Sequence, residues 1–161
     1  MSRPSIIFGG ASFGSPLIGK NFCTPENVKE LLDQLKPHNV NRIDTAARYS
    51  PGNPGGSETL LGQVNAAKQG FIIDTKVNIS DANIATGAGS LSAVAISKSI
   101  DESFSRLNVE SVHILHFHRS DPTTPVEEQA AEMHKQYLAG RFEKVQFASY
   151  YESLILLTDY L

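Results

Sequence analysis

Five short apolar runs, at residues 5–8, 42–44, 71–76, 113–118 and 144–147, are separated by segments with helical spacing. This alternation constrains the fold more than any other feature. Consecutive strands joined by a helix run parallel, because a parallel pair needs a long crossover and an antiparallel pair does not. The predicted class is therefore α/β, one domain over residues 1–161. Periodicity alone leaves two architectures open, the barrel and the doubly wound sheet. The segment GGASFG after the first run lacks the third glycine of a dinucleotide fingerprint, and no helix signal follows it, which disfavours a Rossmann phosphate loop.

The helix signals are local. Thr24, Pro25 and Glu26 read as a cap, a first-turn proline and an early acid, ahead of the apolar face Val28, Leu31, Leu32 and Leu35. Ser57 and Glu58 open a second helix, and Leu91, Val94, Ala95, Ile100, Phe104 and Leu107 form the expected buried stripe of a third. Thr124, Pro125 and Glu127 match a capping box for a fourth, which Gly140 ends.

Fourteen basic and seventeen acidic residues give a net charge of -3 with no basic run, which argues against a nucleic-acid partner. No apolar stretch approaches the roughly 20 residues of a membrane span, and the opening MSRPSIIFGG has no secretory pattern. A cytoplasmic protein with a small-molecule partner is expected. The lone Cys23 agrees with a reducing compartment.

Asp44, Tyr49, Lys76 and His118 each stand at or just past the carboxyl end of a predicted strand, the end that carries ligand sites in parallel α/β folds. Neighbouring strands lie about 4.8 Å apart, so such residues can converge. A lysine cation beside a tyrosine favours the phenolate and eases proton release. Asp44 would orient Lys76, and His118 would polarise a carbonyl oxygen or share the proton of Tyr49. His116 and His118 share a strand face that excludes His113, too few for a catalytic zinc, so no metal is expected.

The segments NRIDTAARYS, GGSETLLG, FIIDTKV and HILHFHRSDPTTPVEEQ resemble, in order, the signature motifs of the aldo-keto reductase family, most closely its aflatoxin-aldehyde-reductase-like and fungal branches. That resemblance implies the first half of a TIM-type (β/α)8 barrel. It also implies a catalytic tetrad of Asp44, Tyr49, Lys76 and His118, with Tyr49 as proton donor to a carbonyl that takes hydride from NADPH. Ala148 and Ser149 stand where the family usually has Ser-Asn against the nicotinamide, so Asp44 and Ser149 are the candidate cofactor contacts. Phe13, Tyr49, His118 and Tyr150 are candidates to touch substrate.

The family's later strands, which hold the pyrophosphate and the 2'-phosphate, have no counterpart before Leu161. Redox-neutral acid–base work on a carbonyl-containing metabolite, with no cofactor on the isolated chain, is therefore the first expectation. The alternatives are an NADPH-dependent carbonyl reductase whose cofactor site another chain completes, or an inactive binding module. A homodimer covering the open sheet, with Leu154 to Leu161 at its interface, is expected.

Overall fold

The computed structural model describes residues 4–18, 20–79 and 85–147. Five strands, β1 (Ile7–Gly9), β2 (Arg42–Asp44), β3 (Ile72–Val77), β4 (Val112–Phe117) and β5 (Phe142–Phe147), alternate with helices α1 (Pro25–Leu35), α2 (Gly56–Gln63), α3 (Ala93–Leu107) and α4 (Val126–Leu138). All pairings are parallel, in the spatial order β1-β2-β3-β4-β5. An order that never reverses is that of barrel staves, whereas a doubly wound sheet turns back at a switch point. The α/β class and the partial-barrel architecture both follow.

Each helix packs on the next, α1 on α2, α2 on α3 and α3 on α4, against one face of the sheet. The core fills the space between. Ile43, Ile73, Leu115 and Phe117 meet Val28, Leu32, Leu61, Ile96, Ile100 and Met133 there, all buried. The opposite sheet face is polar toward its carboxyl end, where residues two apart on one strand, such as Asp74 and Lys76, share a side. Toward the other end it exposes Ile7 and Ile72, at 46% and 40%.

Local signals held where no distant group competes. Thr24 caps α1 by accepting from the Asn27 amide, with Pro25 in the first turn. Gly140, at φ +72, follows the end of α4. Two expectations fail. Val94 is 79% exposed, and α3 buries Ile96, Ser99, Ile100, Ser103, Phe104 and Leu107 instead. No side chain caps α4, because the Thr124 hydroxyl turns back to Asp121 Oδ2 at 2.6 Å.

Asp121 organises that turn. Its carboxylate accepts from the Leu91, Thr123 and Thr124 amides and from both threonine hydroxyls. Burial opposes its charge, but the hydrogen bonds from Thr124, Leu91 and Thr123 outweigh that and hold the carboxyl below the usual range. Glu128 Oε1 also accepts from the Ala93 amide at 2.9 Å, which ties α4 to the start of α3.

Candidate active site

The polar groups converge through strand register. Arg42 pairs with Ile72 and Lys76 with His116, so Asp44, Lys76 and His116 lie on adjacent strands near their carboxyl ends. Chain beyond β2 keeps following β3, since the Thr45 amide donates to Asp74 O at 2.8 Å and the Ala47 amide to Lys76 O at 3.3 Å. That path delivers Tyr49 to the site. Its amide donates to Ala46 O and its carbonyl accepts from the Ser57 amide.

The Lys76 ammonium is ion-paired with Asp44 Oδ1 and donates to Thr45 O at 2.9 Å. Its side chain is 8% exposed and that of Asp44 31%, so the cation is buried and its partner faces the mouth. The Tyr49 ring meets the His118 ring edge-on, with centroids 5.8 Å apart and planes at 85°. Lys76 Nζ lies 5.0 Å from the centre of the Tyr49 ring, within cation–π range. His116 Nε2 approaches Asp44 Oδ1 to 4.0 Å.

These placements shift the proton equilibria of the site. Burial pushes the Tyr49 hydroxyl above its ordinary range, and the Asp44 charge pushes it the same way. The expected easing of proton release by Lys76 has to work against burial and the Asp44 charge, since the ammonium sits over the ring face and is engaged by Asp44. Burial first, then the Lys76 and Arg48 cations, bring His118 down to about 4. At neutral pH it is an uncharged imidazole that can donate one hydrogen bond. His116 is lowered for the same leading reasons, burial and Lys76.

Four of the residues expected at the site, Asp44, Tyr49, Lys76 and His118, are therefore brought together. Phe13 is not among them. It is fully buried, stacked on Phe8 with centroids 5.8 Å apart and edge-on to Phe22 at 6.0 Å, and it has no surface to offer a substrate. Ser149, Tyr150 and the segment Leu154 to Leu161 lie outside the described residues. His113 Nδ1 hydrogen-bonds Asp74 Oδ1 at 3.0 Å, and Asp74 Oδ2 takes Arg42 Nε at 2.6 Å. Among the described residues, no three histidine, cysteine, aspartate or glutamate side chains are grouped to hold a metal ion.

A second set of polar residues lies behind the site, on the helix side of the sheet, and its pairing carries no signal in the sequence. Thr45, Ser57, Glu58 and Thr75 are all fully buried. Ser57 Oγ is 2.7 Å from Thr45 Oγ1 and donates to Gly10 O at 2.8 Å, while Thr75 Oγ1 donates to Glu58 Oε1 at 2.5 Å. Arg106 Nε donates to Glu58 Oε2 at 2.8 Å. The GGSE segment carried these groups, but their partners are 12 to 48 residues away in sequence.

The family model for the aldo/keto reductase family matches residues 5–155. Oxidoreductase sirO of Leptosphaeria maculans is 37% identical over 144 residues, covering 87% of this chain and 41% of that protein. The human aldo-keto reductase family 7 member A3 is 32% identical over 149 residues, 92% of this chain and 42% of that protein. The human aflatoxin B1 aldehyde reductase member 2 is 26% identical over 150 residues, with 93% and 40% covered. The chain spans about two-fifths of the length of these curated relatives. No helix among the described residues is long and apolar enough to cross a membrane.

Proposed function

Since the chain belongs to the aldo/keto reductase family, we propose that Tyr49 and His118 together bind the carbonyl oxygen of a small-molecule substrate and that Tyr49 gives it a proton. The observation that carries this reading is the edge-on contact of the Tyr49 and His118 rings beside the Lys76–Asp44 pair.

The mechanism follows from the charges. As electrons move onto the carbonyl oxygen, it becomes far more basic than a phenolate, and the proton leaves even a hydroxyl that burial has made a weak acid. The phenolate left behind is stabilised by the Lys76 cation, already fixed by Asp44 and Thr45 O. The neutral imidazole of His118 donates its hydrogen bond to the same oxygen and does not compete to deliver a proton.

The family implies a nicotinamide cofactor, whose hydride would reach the carbonyl carbon. Among the described residues, Asp44, part-exposed beside Lys76, is the candidate to touch it. A Cβ at Gly10 would meet Ser57 Oγ at 3.1 Å and Asp44 O at 3.3 Å, so the backbone is packed from behind at that residue. Nearby, Arg48 Nη1 holds Ile79 O at 3.0 Å.

The proton step serves two reactions. One is redox-neutral enolisation, isomerisation, dehydration or cyclisation, which needs proton transfer alone. The other is carbonyl reduction, favoured by relatives described as an oxidoreductase and an aldehyde reductase. Exchange of the α-protons of a ketone in deuterated water reports the first, and oxidation of NADPH with an aromatic aldehyde reports the second. Tyr49→Phe should lower whichever rate the full chain shows by about 10²–10⁴-fold. Unchanged rates in both assays would refute the assignment. A second copy that covers the exposed Ile7 and Ile72 belongs to the same reading, and a monomer by ultracentrifugation at high concentration would remove it.

A further inference from the structure

We infer that Ser57 and Glu58, in the first turn of α2, are positioning residues that set the Asp44–Lys76 pair from behind the sheet. This inference deepens the acid–base reading above and rests on it. Consecutive residues of one helix reach consecutive strands: Ser57 grips Thr45, the residue after Asp44, and Glu58 grips Thr75, the residue before Lys76.

Proton accounting orders the first clamp. The single hydroxyl proton of Ser57 goes to Gly10 O, so the Thr45 hydroxyl is the donor in the 2.7 Å contact with Ser57. Gly10 closes the loop, because its amide donates to Asp44 O at 2.8 Å. Thr45 is thereby fixed by its side chain and by its amide bond to Asp74 O, and its carbonyl is the one that accepts from Lys76 Nζ. A rotation of that peptide would remove one of the two ligands of the ammonium.

The second clamp works through strand alternation. Thr75 points to the helices and Lys76 to the site, so anchoring the Thr75 hydroxyl on Glu58 fixes the strand twist that aims the lysine. Glu58 is a fully buried carboxylate, and such a charge persists only when its oxygens are well partnered. Thr75 holds one oxygen and Arg106 the other. The guanidinium comes from α3, so three elements meet at one carboxylate.

The test reads the Lys76 ammonium directly, by ¹⁵N-resolved NMR of the full chain at low temperature, with no substrate present. Lys76→Met identifies the signal. In the parent protein it should exchange slowly with water, and absence of any such protected signal overturns the inference. Thr75→Val should speed that exchange on the order of tenfold, as expected for loss of one hydrogen bond near a charged group. Thr75→Ser, which restores the hydroxyl, should keep the slow rate, as should the core variant Ile100→Val, which loosens packing without touching either clamp.

Equal exchange in Thr75→Val and Thr75→Ser overturns the inference. If Thr75→Val does not fold, Ser57→Ala carries the same comparison through the Thr45 carbonyl, and an unchanged rate there overturns it likewise. On turnover, the clamp variants should lose kcat with KM unchanged. Loss of protection in the clamp variants, with no turnover even in the parent chain, would leave the positioning role standing and remove the acid–base reading.

Discussion

Gly62→Ala tests the packing that holds the site, because two effects of opposite sign meet there. Gly62 lies near the end of α2, where alanine is favoured over glycine by at most about 1 kcal/mol. A Cβ at this position would sit 1.9 Å from Arg106 O, 2.9 Å from the Arg106 carbonyl carbon and 3.0 Å from that of Leu107. To move the nearest oxygen from 1.9 Å to the 3.0 Å that real contacts respect, α2 and α3 must separate by about 1.1 Å. Overpacking of this kind costs roughly 1–3 kcal/mol, and the upper end applies because a backbone carbonyl cannot rotate aside as a side chain can. The net expectation is destabilisation by about 2 kcal/mol, or about 4–8 °C in Tm for a chain of this size. Urea denaturation followed by circular dichroism measures it, with Gly9→Ala as the control, since nothing lies within 4 Å of a Cβ there. Adding Arg106→Ala should give no rescue, because the obstruction is backbone. A Gly62→Ala protein as stable as the parent would refute the helix contact as described.

Acid stability should fall in two windows. His118 is lowered to about 4 in the folded chain, so on acidification the unfolded chain takes up its proton first, near its usual value of about 6.5. Stability therefore declines from about pH 6.5 to about 4, and His118→Asn should flatten most of that slope in pH-dependent urea titrations, with His116 leaving a residue of the same sign. The lowered Asp121 carboxyl contributes stability above the ordinary carboxylate range and loses it as pH falls further; Asp121→Asn should remove this lower limb and cost about 1–3 kcal/mol at neutral pH, read as a shift in urea midpoint. Phe13→Ala should cost about 3–5 kcal/mol while leaving KM for any carbonyl substrate unchanged, and a raised KM with unaltered stability would return Phe13 to the substrate wall.

What the sequence made legible was local or periodic. The Thr24 cap, the Gly140 stop and the strand ends bearing Asp44, Lys76 and His118 depend on neighbours a few residues away, and the parallel register turns those ends into a shared site. Competition at a distance accounts for the misreadings. Thr124 matched a cap, but the Asp121 carboxylate captured its hydroxyl. Val94 fitted an apolar stripe, yet the face of α3 that meets α2 and the sheet includes Ser99 and Ser103. The lysine beside Tyr49 and its Asp44 partner were legible, but not that burial and the Asp44 charge oppose release of the phenol proton. Most of the Ser57 and Glu58 contacts were invisible because Gly10, Thr75 and Arg106 lie on other βα units.

Asp44, Tyr49, Lys76 and His118 all come from β2, β3, β4 and the chain just beyond them, with β1 and β5 outside on either flank. The contiguous stretch of residues 44–118 thus contains the four polar groups, both threonine anchors and the two helix residues that hold them, and among the described residues Gly10 is the hydrogen-bond partner of these anchors that lies outside it. A genetic exchange with breakpoints outside this stretch would transplant the whole constellation as one cassette. The recipient would have to supply the first-loop backbone that Ser57 and Asp44 bond and the flanking helices that pack on α2 and α3.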